Sequence, residues 1–314
     1  MGDIFNKKFL IGIFSAVILY STFVLLTDLN LISNQLSNFD ILYIPLILSF
    51  IFLGWLVLFS RWVILLNYFE IKLPTKTNFL IYLAGFTFAI SPGKSGEFFK
   101  AILLKNKFGI SRTKSISVIF LERFYDLIGT ILVAICIVFF LGNEFLPVLY
   151  LGLISIAVIF YLAFSKRGLF KIISLMYRIK FFKKFLSPIE NSHNYIQKSK
   201  SPKLVVLSIL LTILHRLVEG VGLFFIISAF GFDLIGFFEI VTTYSTSVII
   251  GTITLIPGGM GITEGSLGGL LSLYGLEFSI AIVIAIVIRL FTLWFAIGAG
   301  AIALKFSKSL KQSS

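Results

Sequence analysis

Cysteine is almost missing from this sequence. Its one representative, Cys136, sits in an apolar run, which excludes a disulfide framework and a cysteine-ligated metal site within one chain. Histidine is nearly as scarce: His193 lies in a polar segment and His215 in an apolar one, too few for a histidine-rich metal site. Negative charge is thin, with 14 acidic residues against 27 basic ones and a formal net charge of +13. Signatures of soluble catalysis are absent too. Gly93-Lys94-Ser95 looks like the end of a phosphate-binding loop, but Phe88 stands where its first glycine is required. No serine-centred nucleophile elbow occurs. No cofactor and no metal are expected, and no motif marks the chain as an enzyme.

What fills the chain instead is apolar sequence. Hydrophobic residues make up 58% of the 314 residues, the mean hydropathy is +1.03, and several runs approach or exceed the roughly 20 residues that span a bilayer. The reading is an all-α polytopic membrane protein. Full spans are expected at about 9–27, 41–66, 115–141, 145–164, 204–230 and 278–304. Between them lie two apolar segments, about 78–112 and 237–275, each broken at a Pro-Gly tip: Pro92, Gly93 and Gly96 in the first, Pro257, Gly258, Gly259 and Gly261 in the second. Such a segment reads as a re-entrant helical hairpin. Irregular backbone at membrane depth is tolerated only where protein or a polar cavity satisfies it, so the two tips predict a cavity.

Charge tests the layout. Every Lys and Arg outside the spans falls in a segment assigned to the cytoplasm, including both termini and the basic loop 165–203. The outer segments carry Asp28, Asp40, Glu144, Asp233, Glu239 and Glu277 and no basic residue, as short loops obeying the positive-inside rule should. A plasma-membrane protein with both termini cytoplasmic is expected. The loop 165–203 mixes Phe and Tyr with Lys and Arg, as a helix lying on anionic lipid would, although these charges also simply enforce topology.

The layout contains an inverted repeat, 1–141 against 142–314, in which every direction is reversed and the two hairpins open to opposite faces. Glu97 precedes Glu122, and Glu264 precedes Arg289, by the same spacing. Broken helices meeting near the midplane of such a repeat are the architecture of secondary transporters.

Charges inside the spans and tips are the candidate binding residues: Arg123, Arg216, Arg289, Glu97, Glu122, Asp126, Glu219 and Glu264, with Arg61 able to snorkel to the cytoplasmic face. Each costs about 2.5–3.5 kcal/mol at the bilayer centre even on the lenient scale, so each needs a partner. Arg216 with Glu219, His215 with Glu219, and Glu122 with Asp126 share helix faces. The last pair requires a cation from Arg123 or from another helix. The returning half-helices are expected to begin near Ser95 and Thr263, placing Glu97 and Glu264 in first turns, where capping and a role in substrate or proton binding are alternative but compatible readings.

The first tip SPGKSGEFFKAILLK with SVIFLERFYDLIGT, and the second tip LIPGGMGITEGSLGGLL with Arg289, resemble the flippase-like transmembrane family best known from the membrane domains of lysylphosphatidylglycerol synthases. The resemblance implies movement of lipids with polar headgroups between leaflets, and its matching positions are Pro92, Gly93, Gly96, Glu97, Glu122, Arg123 and Asp126 in the first half and Pro257, Gly258, Gly259, Gly261, Glu264 and Arg289 in the second. The chain stops at Ser314 after a short basic tail, so synthase activity is not carried over. The leading expectation is a flippase for an anionic or zwitterionic phospholipid or a polyprenyl-phosphate-linked lipid, with a lipid-modifying partner enzyme and homo-oligomer formation left open. The alternatives are a glycosyltransferase-like membrane enzyme or accessory protein acting on lipid-linked sugars, and a scaffold for a cytoplasmic enzyme.

Overall fold

The computed structural model describes residues 36–91, 96–142, 146–164, 201–233, 235–254 and 256–309. The expected first span, the tip residues Pro92 and Gly93, and nearly all of the basic loop lie outside these residues. Every regular element described is helical, and no strand occurs among the described residues.

A 3-10 turn, Ile41–Tyr43, begins where the Asp40 side chain accepts the Leu42 N–H at 2.9 Å, and leads into α1 (Ile44–Tyr68), which has Pro45 in its first turn. Then come α2 (Thr75–Ala84) with a 3-10 extension Gly85–Phe88, and α3 (Phe99–Phe108), which stops at the left-handed Gly109. The Ser111 hydroxyl accepts the Lys114 N–H and starts α4 (Arg112–Ala134), which runs on through a 3-10 turn to Leu141. The remaining helices are α5 (Leu146–Phe164), α6 (Pro202–Ala229), α7 (Phe237–Ile253), α8 (Ile262–Ser272), α9 (Phe278–Arg289) and α10 (Phe295–Ser309). A π-helical stretch, Leu290–Trp294, joins α9 to α10.

Among the described residues, four stretches are long and apolar enough to cross a membrane: Ile41–Tyr68, Arg112–Leu141, Pro202–Ala229 and Phe278–Ser307. The helix α5 adds a fifth apolar segment of 19 residues. By contrast α2 and α3, with 10 residues each, extend only about 15 Å at 1.5 Å per residue, about half of the hydrocarbon thickness. In the second broken segment α7 has 17 residues and α8 has 11.

The bundle is apolar on its outside as well as its inside. Along α1, Ile47, Ile51, Trp55, Leu58, Trp62 and Leu65 are buried, while Leu46, Phe52, Leu53 and Leu56 on the other face are exposed. A helix hydrophobic all round suits a lipid surround rather than water. Glu97, Lys100, Glu122, Arg61 and Glu264 are meanwhile among the most deeply buried side chains. Arg61 does not snorkel as expected. It is fully buried and donates to Thr212 of α6, because α6 packs along α1 and closes its route to the surface.

Packing interleaves the two ends of the chain. The helix α6 lies against α1, α4 and α7; α2 lies against α10; and α7 lies against α4. The contact of α2 with α10 is close: a side chain at Gly300 would meet the Leu83 carbonyl and the Thr87 amide. Both broken segments are thereby held against long helices from the other end of the chain, facing one interior.

Candidate functional site: a buried charge network around one cavity

The second break shows why glycine is needed at its tip. Gly258, Gly259 and Gly261 have φ of 64°, 65° and 78°, a left-handed backbone that other residues adopt at a cost. This turn brings α8 back into the interior. Its N-cap is Gly261 and its first helical residue is Ile262, one residue before the expected start near Thr263. The Gly261 N–H donates to Glu264 Oε2 at 2.7 Å, while Arg289 Nε of α9 donates to Glu264 Oε1 at 2.9 Å. Capping and charge pairing coexist here on two oxygens of one carboxylate. Arg289 NH2 also donates to the Gly258 carbonyl.

The first break is built differently. The Gly96 N–H donates to Ser91 Oγ at 2.5 Å, and Glu97 lies just ahead of α3, whose first turn contains no acid. Glu97 sits in a 3-10 turn, 96–98, that runs directly into α3, and its carboxylate is drawn to cations. Glu97 Oε1 is 3.0 Å from Arg123 NH1, and Oε2 is 3.4 Å from Lys100 Nζ. Lys100 Nζ also donates to Glu122 and sits 4.3 Å from the centre of the Trp62 ring, a cation–π contact. Arg123 NH2 is 3.5 Å from Glu122 Oε1, and its NH1 is 3.4 Å from Asp126 Oδ2. Asp126 gains a second cation from α1, with Arg61 NH2 at 3.7 Å. Glu122 and Asp126, which needed cationic company, receive it from their own helix and from two others.

A third group lies on α6. Arg216 NH1 donates to Glu219 Oε2 at 2.8 Å, and its Nε donates to Thr130 Oγ1 of α4 at 3.1 Å. His215 Nε2 is 3.6 Å from the same Glu219 oxygen, and His215 Nδ1 is 3.1 Å from the Gly54 carbonyl. The i,i+3 and i,i+4 pairings expected on this helix are both present.

All three groups border one cavity of about 130 Å³, lined by Glu97, Arg123, Asp126, Arg216, Glu219 and Arg289 among others. A water needs roughly 10–15 Å³ of such space, so a polar group of several heavy atoms fits. Trp55, Phe86 and Leu293 supply apolar wall; Ser91, Thr263 and Thr292 supply hydroxyl-bearing wall. Glu122 and Glu264 do not line the cavity, but each is paired with an arginine that does. Guanidinium groups in such a place suit a phosphate or carboxylate through planar, paired N–H donors.

Sequence reasoning missed two members of the network and one backbone feature. Lys100 reads as one of several basic residues after the first tip, although its i,i+3 spacing from Glu97 was a usable signal. Arg61 reads as interfacial. The π-helical stretch directly after Arg289 has no sequence signature, yet π-helical segments frequently occur at functional sites, and its Thr292 and Leu293 line the cavity.

Residues 9–300 match the family described as the lysylphosphatidylglycerol synthase TM region, and the chain belongs to that family. A UPF0104 membrane protein of Methanothermobacter thermautotrophicus is 27% identical over 250 residues, covering 72% of this chain and 73% of the relative. A UPF0104 membrane protein of Methanocaldococcus jannaschii is 26% identical over 218 residues, covering 68% of this chain and 91% of the relative. With its long apolar helices, the protein is a membrane protein.

Proposed function

We propose that this member of the lysylphosphatidylglycerol synthase TM-region family is a lipid flippase, moving a phospholipid or polyprenyl-phosphate headgroup between leaflets through its polar cavity while the tails stay in lipid. The observation that carries the reading is the convergence of Arg123, Arg216 and Arg289 on one cavity inside a bundle whose outer surface is apolar. A soluble binding protein has no use for that inversion. A headgroup crossing hydrocarbon requires it, because charge at membrane depth must be met by charge.

An inverted repeat of re-entrant hairpins supplies the moving parts in this reading. Support comes from the two break-to-span contacts, Glu97 with Arg123 and Glu264 with Arg289, at 3.0 and 2.9 Å, which are alike in chemistry and near-alike in spacing. One half would rock against the other around the cavity, in a plasma membrane with both termini cytoplasmic. The chain acts as a transporter rather than an enzyme here, alone or as a homo-oligomer, passing lipid to or from a lipid-modifying enzyme.

The test is leaflet movement of fluorescent phosphatidylglycerol, phosphatidylethanolamine and a short polyprenyl phosphate in proteoliposomes, with Arg216→Ala and Arg289→Ala beside the wild type. Movement of at least one lipid, lost in variants that still fold, is the expected outcome. Absence of movement for all three would overturn the proposal, and recovery of a chemically altered lipid would favour the enzyme reading.

A further inference from the structure

The three cavity arginines are not equally committed to their partners. If Arg216 turned to a ligand, Glu219 would keep, among the described residues, only His215, 3.6 Å away. If Arg289 turned, Glu264 would keep the Gly261 N–H but no cation among its described partners. Arg123 differs. Its three acids each have a second cation: Lys100 reaches both Glu97 and Glu122, and Arg61 reaches Asp126. Withdrawing Arg123 therefore strands no carboxylate, whereas an unpaired buried charge is strongly unfavourable.

Two further observations single out Arg123. Its side chain is 21% exposed, against 6% for Arg216 and 7% for Arg289. Its Nε has no hydrogen-bond partner among the described residues. Lys100, by contrast, is fixed. It is buried under the Trp62 ring, and Trp62 is itself anchored by its Nε1 donating to Asn78 Oδ1 at 2.9 Å.

We propose that Arg123 is the arginine that takes the anionic phosphate of a lipid headgroup, and that Lys100 is the positioning residue that holds Glu97 and Glu122 while it does so. The inference rests on the headgroup reading above and names which cationic group meets the phosphate. Glu97 is the competitor. Its Oε1 lies 3.0 Å from the Arg123 guanidinium nitrogen that a phosphate oxygen needs, while its Oε2 faces Lys100 without a hydrogen-bond partner among the described residues.

Binding, not transport, is the test. The full chain in detergent micelles is titrated with dihexanoylphosphatidylglycerol, with dihexanoylglycerol, which lacks the phosphate, and with inorganic phosphate, followed by tryptophan fluorescence, since Trp55 lines the cavity. The phosphate-bearing lipid should bind and dihexanoylglycerol should not. Arg123→Gln should weaken binding roughly tenfold or more, the scale of a lost charge-assisted hydrogen bond. Glu97→Gln should tighten it, a gain that misfolding cannot produce. Lys100→Met should weaken it, with Lys100→Arg or the pair Lys100→Met with Glu97→Gln restoring it.

Unchanged or weaker binding in folded Glu97→Gln would overturn the proposal. So would retention of binding in Arg123→Gln alongside loss in a folded Arg216→Gln or Arg289→Gln. Equal affinity for inorganic phosphate would overturn the lipid as its source. If the lipid binds with the expected pattern but never changes leaflet, the flippase reading fails and this site stands. If lipid changes leaflet but binds without regard to Arg123, the reverse holds.

Discussion

Arg289 and Glu264 meet at 2.9 Å across the second break, one from a long helix and the other from the first turn of a short one. The same carboxylate accepts the Gly261 N–H at 2.7 Å. One side chain thus fixes where α8 begins and how it sits against α9, so the tip cannot shift without disturbing a buried charge pair.

That double duty can be separated by substitution. Glu264→Gln keeps an oxygen for the Gly261 N–H but leaves Arg289 without its counter-charge, and breaking a buried pair from one side costs about 3–5 kcal/mol. Arg289→Met should cost a similar amount. The double variant should be less destabilised than the sum, by about 0.5–3 kcal/mol, in denaturant titrations in mixed micelles. Additive losses would mean that the two side chains do not interact.

The tip glycines should differ in their tolerance. Gly259 and Gly261 both have left-handed backbone, and that strain costs about 1–3 kcal/mol for a residue with a Cβ. At Gly259 the added carbon would also run into the Thr263 hydroxyl, whereas at Gly261 it would meet nothing. Gly259→Ala should therefore be the more damaging, and Gly259→Ala with Thr263→Ala should recover part of the loss in the same titration. Equal effects at the two positions would argue against this packing.

Topology has a direct readout. Lys72, before the first broken segment, and Asp233 and Glu277, flanking the second, are exposed. In a Cys136→Ala background, Lys72→Cys should resist an impermeant maleimide in intact cells and react after permeabilisation. Asp233→Cys and Glu277→Cys should react from outside. Labelling of all three from one face would remove the inverted repeat.

The residues differ in how much of their fate could be read in advance. Arg216 and Glu219 were legible because a helix fixes the geometry of neighbours three residues apart, and they pair at 2.8 Å. Glu122 and Asp126 showed their need for cations and pointed to Arg123, which pairs with both, but not to the residues of the other helices that complete the network. Lys100 and Arg61, which supply much of it, read as ordinary basic residues at a membrane face, because nothing in their local sequence says that α6 and the first broken segment will close over them.

Composition, apolar runs and Pro-Gly breaks were enough to establish an all-helical membrane protein with buried charge and interrupted helices, since these follow from local periodicity and from the solvent that the surface must suit. Only the tertiary structure decided which acid meets which cation, that Glu264 both caps α8 and pairs with Arg289, and that among the three cavity arginines only Arg123 has a second cation on each of its acids. The reason is physical: a charge at depth is balanced by whatever packing brings within about 4 Å, and Lys100, Arg61 and Arg289 reach their acids across different helices.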